Sequence, residues 1–176
     1  MNRRTAIRQV VFISAGTILF SSCNTEDNKS SLGLKNLSLS LPQEKLVAEL
    51  SQLIIPKTNL FIGASDLRSH EFVFTMVDDC CSPEDQKIFI QGLKDFDNEC
   101  KKSVGYFFTT CDIRQKNKWV AAVEKEAAIS KDAIWFYKTV RKYTVQSFTS
   151  SKEYMTTVKD YRMIPGNHFR GCVLIS

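Results

Sequence analysis

The spacing of apolar residues along the middle of this chain restricts its fold more than any other feature. From Ser40 to Phe148 the apolar side chains recur at the intervals of a helix face, and no stretch alternates apolar with polar residues as a half-buried strand does. Segments at 40–42 and 82–83 place a serine and a proline where helices begin. The sequence therefore predicts an all-α fold, a bundle of about five helices with an extended C-terminal tail.

The predicted helical domain spans residues 40–150. Its helices are expected at about 40–55, 66–80, 82–104, 112–128 and 132–148, separated by Pro56 and by breaks such as 105–110. In the first four helices, residues at helical spacing are expected to face the core: Leu46, Val47, Leu50, Leu53 and Ile54; Phe72, Val73, Met76, Val77 and Cys80; Phe89, Leu93, Phe96 and Cys100; Trp119, Val120, Val123 and Ala127.

The fifth helix differs from the others because apolar side chains cover most of its circumference. Trp135, Phe136, Tyr143 and Phe148 lie on several sides of it and leave only a narrow basic strip. A helix of this kind is either central to its own core or shared with a partner chain. The sequence leaves both alternatives open, so Trp135 and Phe136 are candidates for a partner contact.

Residues 151–176 are predicted to form an extended tail. Helical period is lost after Ser151, and prolines and glycines follow near the end. An aromatic tail without a helix has to lie on a surface, either that of its own domain or that of a partner. Tyr161 and Phe169 are therefore further interface candidates.

The N-terminal residues have the three parts of an export signal, predicted to span residues 1–22. Arg3 and Arg4 give a basic start, an apolar run follows, and small residues precede Cys23. The apolar run of about 11 residues is too short to cross a membrane, which takes about 20. A buried N-terminal helix is the alternative.

Two features of this leader define the expected location. The Arg3–Arg4 pair resembles a twin-arginine signal, which exports folded proteins. The segment 20–23, Phe-Ser-Ser-Cys, resembles a bacterial lipobox, whose cysteine receives a diacylglycerol group. Cys23 is thus the predicted lipid anchor, residues 23–39 are its anchor and tether, and the protein is expected on the periplasmic side of a membrane. Cleavage near Ser22 with release of a soluble protein is the alternative.

The charge balance gives no reason to expect nucleic-acid binding. The formal charge is +5, and it falls by three, to +2, without the three arginines of the leader. The two histidines, His70 and His168, are far apart in the sequence, so no multi-histidine metal site is predicted. The cysteine spacings of haem and iron–sulfur proteins are also absent.

Beyond Cys23, five cysteines remain, so at least one thiol is free or pairs with another chain. Cys80 and Cys172 are the candidates for a partner contact or a disulfide, although a plain buried thiol is equally compatible with Cys80. No phosphate-binding glycine loop or nucleophile elbow is present. Cys172 and His168 could form a nucleophile pair, but no third group is available to orient it. We therefore assign no catalytic residue.

Several segments resemble the small subunit, subunit 3, of gluconate 2-dehydrogenase and related membrane-bound sugar dehydrogenases. The resemblance covers roughly residues 38–173. Its parts are the Leu-Pro-Gln-Glu helix start at 41–44, Leu-Ile-Ile-Pro at 53–56, the segment 72–80 with Ser-Pro-Glu-Asp at 82–85, and the aromatic fifth helix with Phe-Thr-Ser at 148–150. The most specific part is the ending, from Tyr-Arg-Met-Ile-Pro-Gly at 161–166 to Phe-Arg-Gly-Cys at 169–172.

The resemblance implies a non-catalytic subunit that carries the export signal and holds or matures a larger one. In such complexes the large subunit contains FAD and oxidises the sugar, and a cytochrome c subunit passes electrons to the membrane. No cofactor is then expected on this chain. Two other readings stay open, a stand-alone envelope lipoprotein and a thiol-dependent enzyme that uses Cys172 or Cys80.

Overall fold

The computed structural model describes residues 30–126 and 129–161. These residues form six α-helices and no β-strand, which confirms the all-α prediction and its five longer helices. A 3-10 helix, Phe108–Thr110, lies between the third and fourth helices. The helices are α1 (Leu41–Ile54), α2 (Ser69–Cys80), α3 (Pro83–Val104), α4 (Ile113–Glu124), α5 (Lys131–Thr149) and α6 (Lys152–Thr157).

The helices begin where the sequence supplies capping side chains. At α1 the Gln43 side chain accepts the backbone N–H of Ser40 at 2.9 Å. At α3 the Ser82 hydroxyl oxygen accepts the N–H of Asp85 at 3.1 Å. Gly105, with a φ of 93°, ends α3 in the left-handed conformation that glycine adopts without strain.

Helix α5 is the centre of the bundle. It packs against α1, α2, α3, α4 and α6. Its buried side chains are Ala133, Phe136, Tyr137, Val140, Tyr143 and Thr144. Most of its apolar circumference therefore faces the chain's own core.

An aromatic cluster joins α2, α3 and α5. The Phe89 ring lies 5.0 Å from the Phe136 ring and 6.1 Å from the Phe74 ring, measured between centroids. Phe96 on α3 also contacts Phe136, at 5.5 Å. These tilted and edge-to-face contacts fill the middle of the bundle with fully buried rings.

Helix α2 buries a different set of residues from the predicted one. Phe74 is fully buried although the helical pattern left it out, and Cys80 is exposed although the pattern placed it on the core side. Helix α2 packs against α1, α3 and α5, so its buried face is broad. The buried face follows Phe74, Val77 and Asp78 and continues to Cys81, which contacts Tyr143 of α5. Cys80 lies to one side of this face.

Residues 30–39 pack against the helices, whereas the sequence assigned them to the tether. Leu37 and Leu39 are buried in the core. The Ser31 hydroxyl donates to the Glu44 carboxylate at 2.7 Å, and the Ser31 backbone N–H donates to the same carboxylate at 2.9 Å. The predicted boundary at residue 40 is therefore wrong, because the domain already includes residues 30–39.

The C-terminal part begins with a short helix, so the prediction of an extended chain from residue 151 is wrong for α6. Ser151 caps this helix by accepting the N–H of Tyr154 at 3.2 Å. The Tyr154 ring packs 5.3 Å from the ring of Phe148, at the end of α5. Six residues are too few to show a helical period in the sequence. The rest of the predicted tail, 162–176, lies outside the described residues.

Across residues 30–126 and 129–161, no helix combines the length and the apolar character that crossing a bilayer requires.

Candidate partner-binding surface

Several residues proposed from the sequence lie outside the part of the chain that the structure describes. They are Arg3 and Arg4 of the export signal, Cys23 of the lipid anchor, and Phe169 and Cys172 of the tail. Their roles remain predictions.

Phe136 is not a surface residue, so its proposed partner contact is wrong. Its side chain is fully buried between Phe89 and Phe96 of α3. The sequence could not show which side of α5 is buried, because apolar residues occur around most of the circumference of this helix. The neighbouring residue Trp135 is half-buried against the same core.

Trp135 and Tyr161 are both accessible, but they lie at opposite ends of α5. Trp135 is near the start of this helix, where it lines a small cavity of about 340 Å³ with Cys81 and Tyr143. Tyr161 is 54% exposed and follows α6, which packs on the other end of α5. The 14 helical steps from Trp135 to Thr149 span about 21 Å. The two aromatic residues therefore do not form one patch.

Cys80 is exposed at the end of α2 and remains available to a partner. Its neighbour Cys81 turns towards α5, where its Sγ lies 3.9 Å from the Tyr143 hydroxyl. Burial, followed by the contact with Cys81, raises the pKa of Tyr143, so its phenol stays protonated. Two adjacent cysteines thus have different surroundings.

Within residues 30–126 and 129–161, the one histidine, His70, does not lie beside Cys80. His70 is in the first turn of α2, and ten residues at 1.5 Å each place Cys80 about 15 Å further along the axis. His70 instead lies 3.9 Å from the carboxylates of Glu44 and Glu71. Burial lowers its pKa, against the opposite effect of these two carboxylates. In the described ranges, no three His, Cys, Asp or Glu side chains are grouped to hold a metal ion.

An open groove of about 610 Å³ lies between α1, α4 and the loop that follows α1. Leu53 of α1, Pro56 of the loop and Ile113 of α4 provide apolar walls. Ile113 is 62% exposed. No local sequence pattern indicates this groove, because its walls come from segments about 60 residues apart that meet only in the folded chain.

A salt bridge crosses one wall of the groove. Lys116 of α4 extends its ammonium group to within 2.9 Å of the Glu49 carboxylate of α1. Both side chains are mostly buried, at 17% and 27% exposure, so the pair is better shielded from solvent than an ordinary surface pair. It holds the start of α4 against α1 and so helps to set the width of the groove.

The loop beside the groove is fixed at its base. Its two ends, Pro56 and Ser65, both line the groove. The backbone N–H of Ala64 donates to the Ile55 carbonyl at 2.9 Å. Gly63 packs so closely that a Cβ there would lie 2.6 Å from the backbone nitrogen of Lys57. The base therefore has little freedom to move relative to α1.

The tip of this loop presents two apolar side chains. The Thr58 N–H donates to the Phe61 carbonyl at 3.0 Å, and the Thr58 hydroxyl oxygen accepts the Phe61 N–H at 3.0 Å. This turn leaves Leu60 84% and Phe61 42% exposed. We refer to the groove walls Leu53 and Ile113 together with Leu60 and Phe61 as the groove surface. Leu60 and Phe61 are adjacent exposed apolar residues of the loop whose base lines the groove, and contiguous apolar patches are typical of protein–protein contacts.

A protein-family model matches most of the chain. The model, described as gluconate 2-dehydrogenase subunit 3, matches residues 42–166 and so includes almost all of α1, all of α2 to α6 and the groove surface. No curated protein and no solved structure matches the chain. Because the family match covers far more than half of the sequence, the chain belongs to the gluconate 2-dehydrogenase subunit 3 family.

Proposed function

We propose that this chain is the non-catalytic small subunit of a membrane-associated, flavin-dependent sugar or gluconate dehydrogenase. Membership of a family named for one subunit of a dehydrogenase carries this proposal. The main partner is a large subunit that contains FAD, with a cytochrome c subunit as a further component. The chain itself holds no cofactor and serves the export, anchoring or assembly of the large subunit.

The groove surface is the part of the described chain that we assign to the large subunit. It combines an apolar tip, Leu60 and Phe61, with a groove beside it that an apolar side chain of the partner can enter. Its base is rigid, so little conformational entropy is lost on binding. Tyr161, together with Phe169 and Cys172 of the tail, provides a second contact region. Exposed Cys80, at the other end of α5, provides a separate contact.

Co-expression of the chain with a family flavoprotein and affinity capture of the complex tests the proposal. Ile113→Asp and Leu60→Asp each place a charge on the groove surface, and each is expected to reduce capture at least tenfold. Val145→Asp is the control, because Val145 is also 41% exposed but belongs to α5, away from the groove. Wild-type chains that elute separately would overturn the complex itself. If all three variants lose capture to the same degree, the groove surface is not the contact with the large subunit.

The tail contact is tested by Cys172→Ser, which is expected to weaken assembly or remove a covalent link on a non-reducing gel. Cys81→Ser is the matched control, since Cys81 is half-buried against α5. An unchanged complex in the Cys172 variant would reject this contact.

Export and anchoring are tested on the leader. Two or three acyl chains on Cys23 would hold the protein on the membrane almost permanently, whereas one chain would not. Intact-mass measurement of the mature protein is expected to show acylation, and Cys23→Ala is expected to release it from membranes. Replacing both Arg3 and Arg4 by Lys is expected to stop export. An unmodified protein that keeps its leader would contradict the proposed location.

The isolated chain is expected to show no turnover of sugars or sugar acids. Flavin- or thiol-dependent turnover by the purified chain alone would replace the proposal with that of an enzyme.

A further inference from the structure

Two buried cysteines face each other at the end of α3. Cys100 lies in the last turns of that helix and is fully buried. Cys111 directly follows the 3-10 helix and is 6% exposed. Their Sγ atoms are 3.9 Å apart. The left-handed turn at Gly105 brings the chain back so that the two side chains meet.

The segments that carry the two thiols are held together by contacts that do not involve sulfur. The Asp97 carboxylate of α3 accepts the Phe108 N–H at 2.9 Å. The Phe96 ring lies 5.3 Å from the Phe108 ring and 5.6 Å from that of Trp119. A disulfide needs an S–S distance of about 2.05 Å, so each sulfur has to move by roughly 1 Å. A side-chain rotation of that size leaves the Asp97 hydrogen bond and the ring contacts in place.

The other described cysteines have no comparable arrangement. Cys80 is exposed, and Cys81 contacts the Tyr143 hydroxyl. Adjacent cysteines cannot bridge each other without strain in the ring that results. Among the described cysteines, Cys100 and Cys111 are therefore the two whose geometry favours a disulfide within the chain.

We propose that Cys100 and Cys111 form an intramolecular disulfide when the chain meets an oxidant that itself carries a disulfide. The Cys111 thiolate attacks one sulfur of the oxidant, and the other oxidant sulfur leaves as a thiolate. The Cys100 thiolate then attacks the Cys111 sulfur of this mixed disulfide and releases the second oxidant thiolate. The two cysteines lose two electrons, the oxidant becomes a dithiol or two thiols, and the two protons pass to it.

The disulfide closes a loop that contains an exposed aromatic turn and restricts its motion. Residues 101–110 connect the two cysteines, and this turn carries Tyr106 at 57% and Phe107 at 39% exposure. Burial and the neighbouring Cys111 raise the pKa of Cys100, so its thiolate is scarce in the folded chain. Oxidation is therefore fast in the unfolded chain or when the turn opens, and slow in the closed, reduced protein.

Refolding of the reduced full-length chain in a mixture of reduced and oxidised glutathione tests the disulfide, and it requires neither export nor a partner. Lys101 and Lys102 lie between the two cysteines, so trypsin separates them. Digestion without reductant is expected to yield residues 95–101 linked to residues 103–114, with a mass two hydrogens below the sum of the two peptides. The link should persist when Cys80 and Cys81 are both replaced by Ser.

A second readout separates the bond from mere proximity. Adding dithiothreitol to the oxidised protein is expected to lower its thermal midpoint by roughly 5–10 °C, the shift for a closed loop and a domain of this size. Cys111→Ser should remove both the linked peptide and the response to dithiothreitol; Cys111→Ala serves as a second variant if the serine disturbs folding. A pair that stays reduced after refolding, or a linked peptide that joins other cysteines, would overturn the proposal. Neither result would bear on whether the chain binds a flavoprotein.

Discussion

The Asp78 carboxylate of α2 accepts the backbone N–H of Leu37 at 2.7 Å and so fixes the N-terminal segment to the bundle. The backbone N–H groups of Lys35 and Asn36 donate to the same carboxylate, each at 2.8 Å. Burial opposes the charged form of Asp78, but the three N–H donors outweigh it, so the pKa of Asp78 lies below its ordinary value of 3.8. One buried carboxylate thus accepts hydrogen bonds from three backbone N–H groups that belong to no helix or strand.

Replacing Asp78 by Ala is expected to destabilise the protein by about 2–3 kcal/mol, because buried N–H groups lose a charged acceptor. Urea unfolding measures this change, and trypsin should cut after Lys35 faster in the variant. Asp79→Ala is the matched control. The Asp79 carboxylate is 46% exposed and pairs with the Lys35 ammonium group on the surface at 3.4 Å. We expect a change below about 0.5 kcal/mol there. Equal effects in the two variants would contradict the role of Asp78.

The free energy of unfolding is expected to decrease as the pH falls below 6.5, because His70 is harder to protonate in the folded protein than in the unfolded chain. Burial lowers the pKa of folded His70 below 6.5, although Glu71 and Glu44 act in the opposite direction. The unfolded chain then binds the proton first, so this contribution is present above 6.5 and is lost as the pH falls through the lowered folded pKa.

His70→Gln is the control for this pH dependence, and the difference between its urea curves and those of the wild type isolates the histidine. Glu44 and Asp78 have pKa values below 4.5 and 3.8, so their own losses of stability occur at lower pH. A wild-type decrease that persists unchanged in the variant would assign it to another group.

Gly92→Ala is expected to destabilise the protein by about 1–3 kcal/mol, since α3 and α5 approach too closely for a methyl group. A Cβ at this position would collide with the Asp132 carbonyl oxygen and lie 2.8 Å from the Phe136 Cβ. Gly33→Ala is the control, because its Cβ would meet nothing within 4 Å. Thermal unfolding of both variants provides the measurement. A stabilised Gly92 variant would show that the two helices can separate without cost.

Ser82→Ala is expected to cost about 1 kcal/mol, because the first turn of α3 loses the hydroxyl that accepts the Asp85 N–H. In a domain of this size the thermal midpoint should fall by about 2–4 °C. Ser103→Ala, at an exposed position inside the same helix, should change stability by only a few tenths of a kcal/mol. Equal shifts of the thermal midpoint in the Ser82 and Ser103 variants would contradict the capping role of Ser82.

The boundaries of the longer helices were accessible from the sequence because they depend on residues within one turn of each other. Ser40 and Gln43 predict the start of α1, and Ser82 with Pro83 predicts that of α3. Two boundaries were less accurate: α2 begins at Ser69 and not at 66, and α4 ends at Glu124 and not at 128. Turns that bond the Ser69 N–H to the Ala64 carbonyl delay the start of α2.

The sequence by itself determined the helical class of this protein and most of its helix starts, since caps and periodicity are local properties. Its motifs, by their resemblance, also indicated the family to which it belongs. Only the tertiary structure decided that Phe136 is buried, that residues 30–39 belong to the domain, and that Cys100 meets Cys111. It also decided that Leu53 and Ile113 line one groove. These outcomes depend on how whole helices pack against α5, and the energy of that packing comes from side chains that are distant in the sequence and close only after folding.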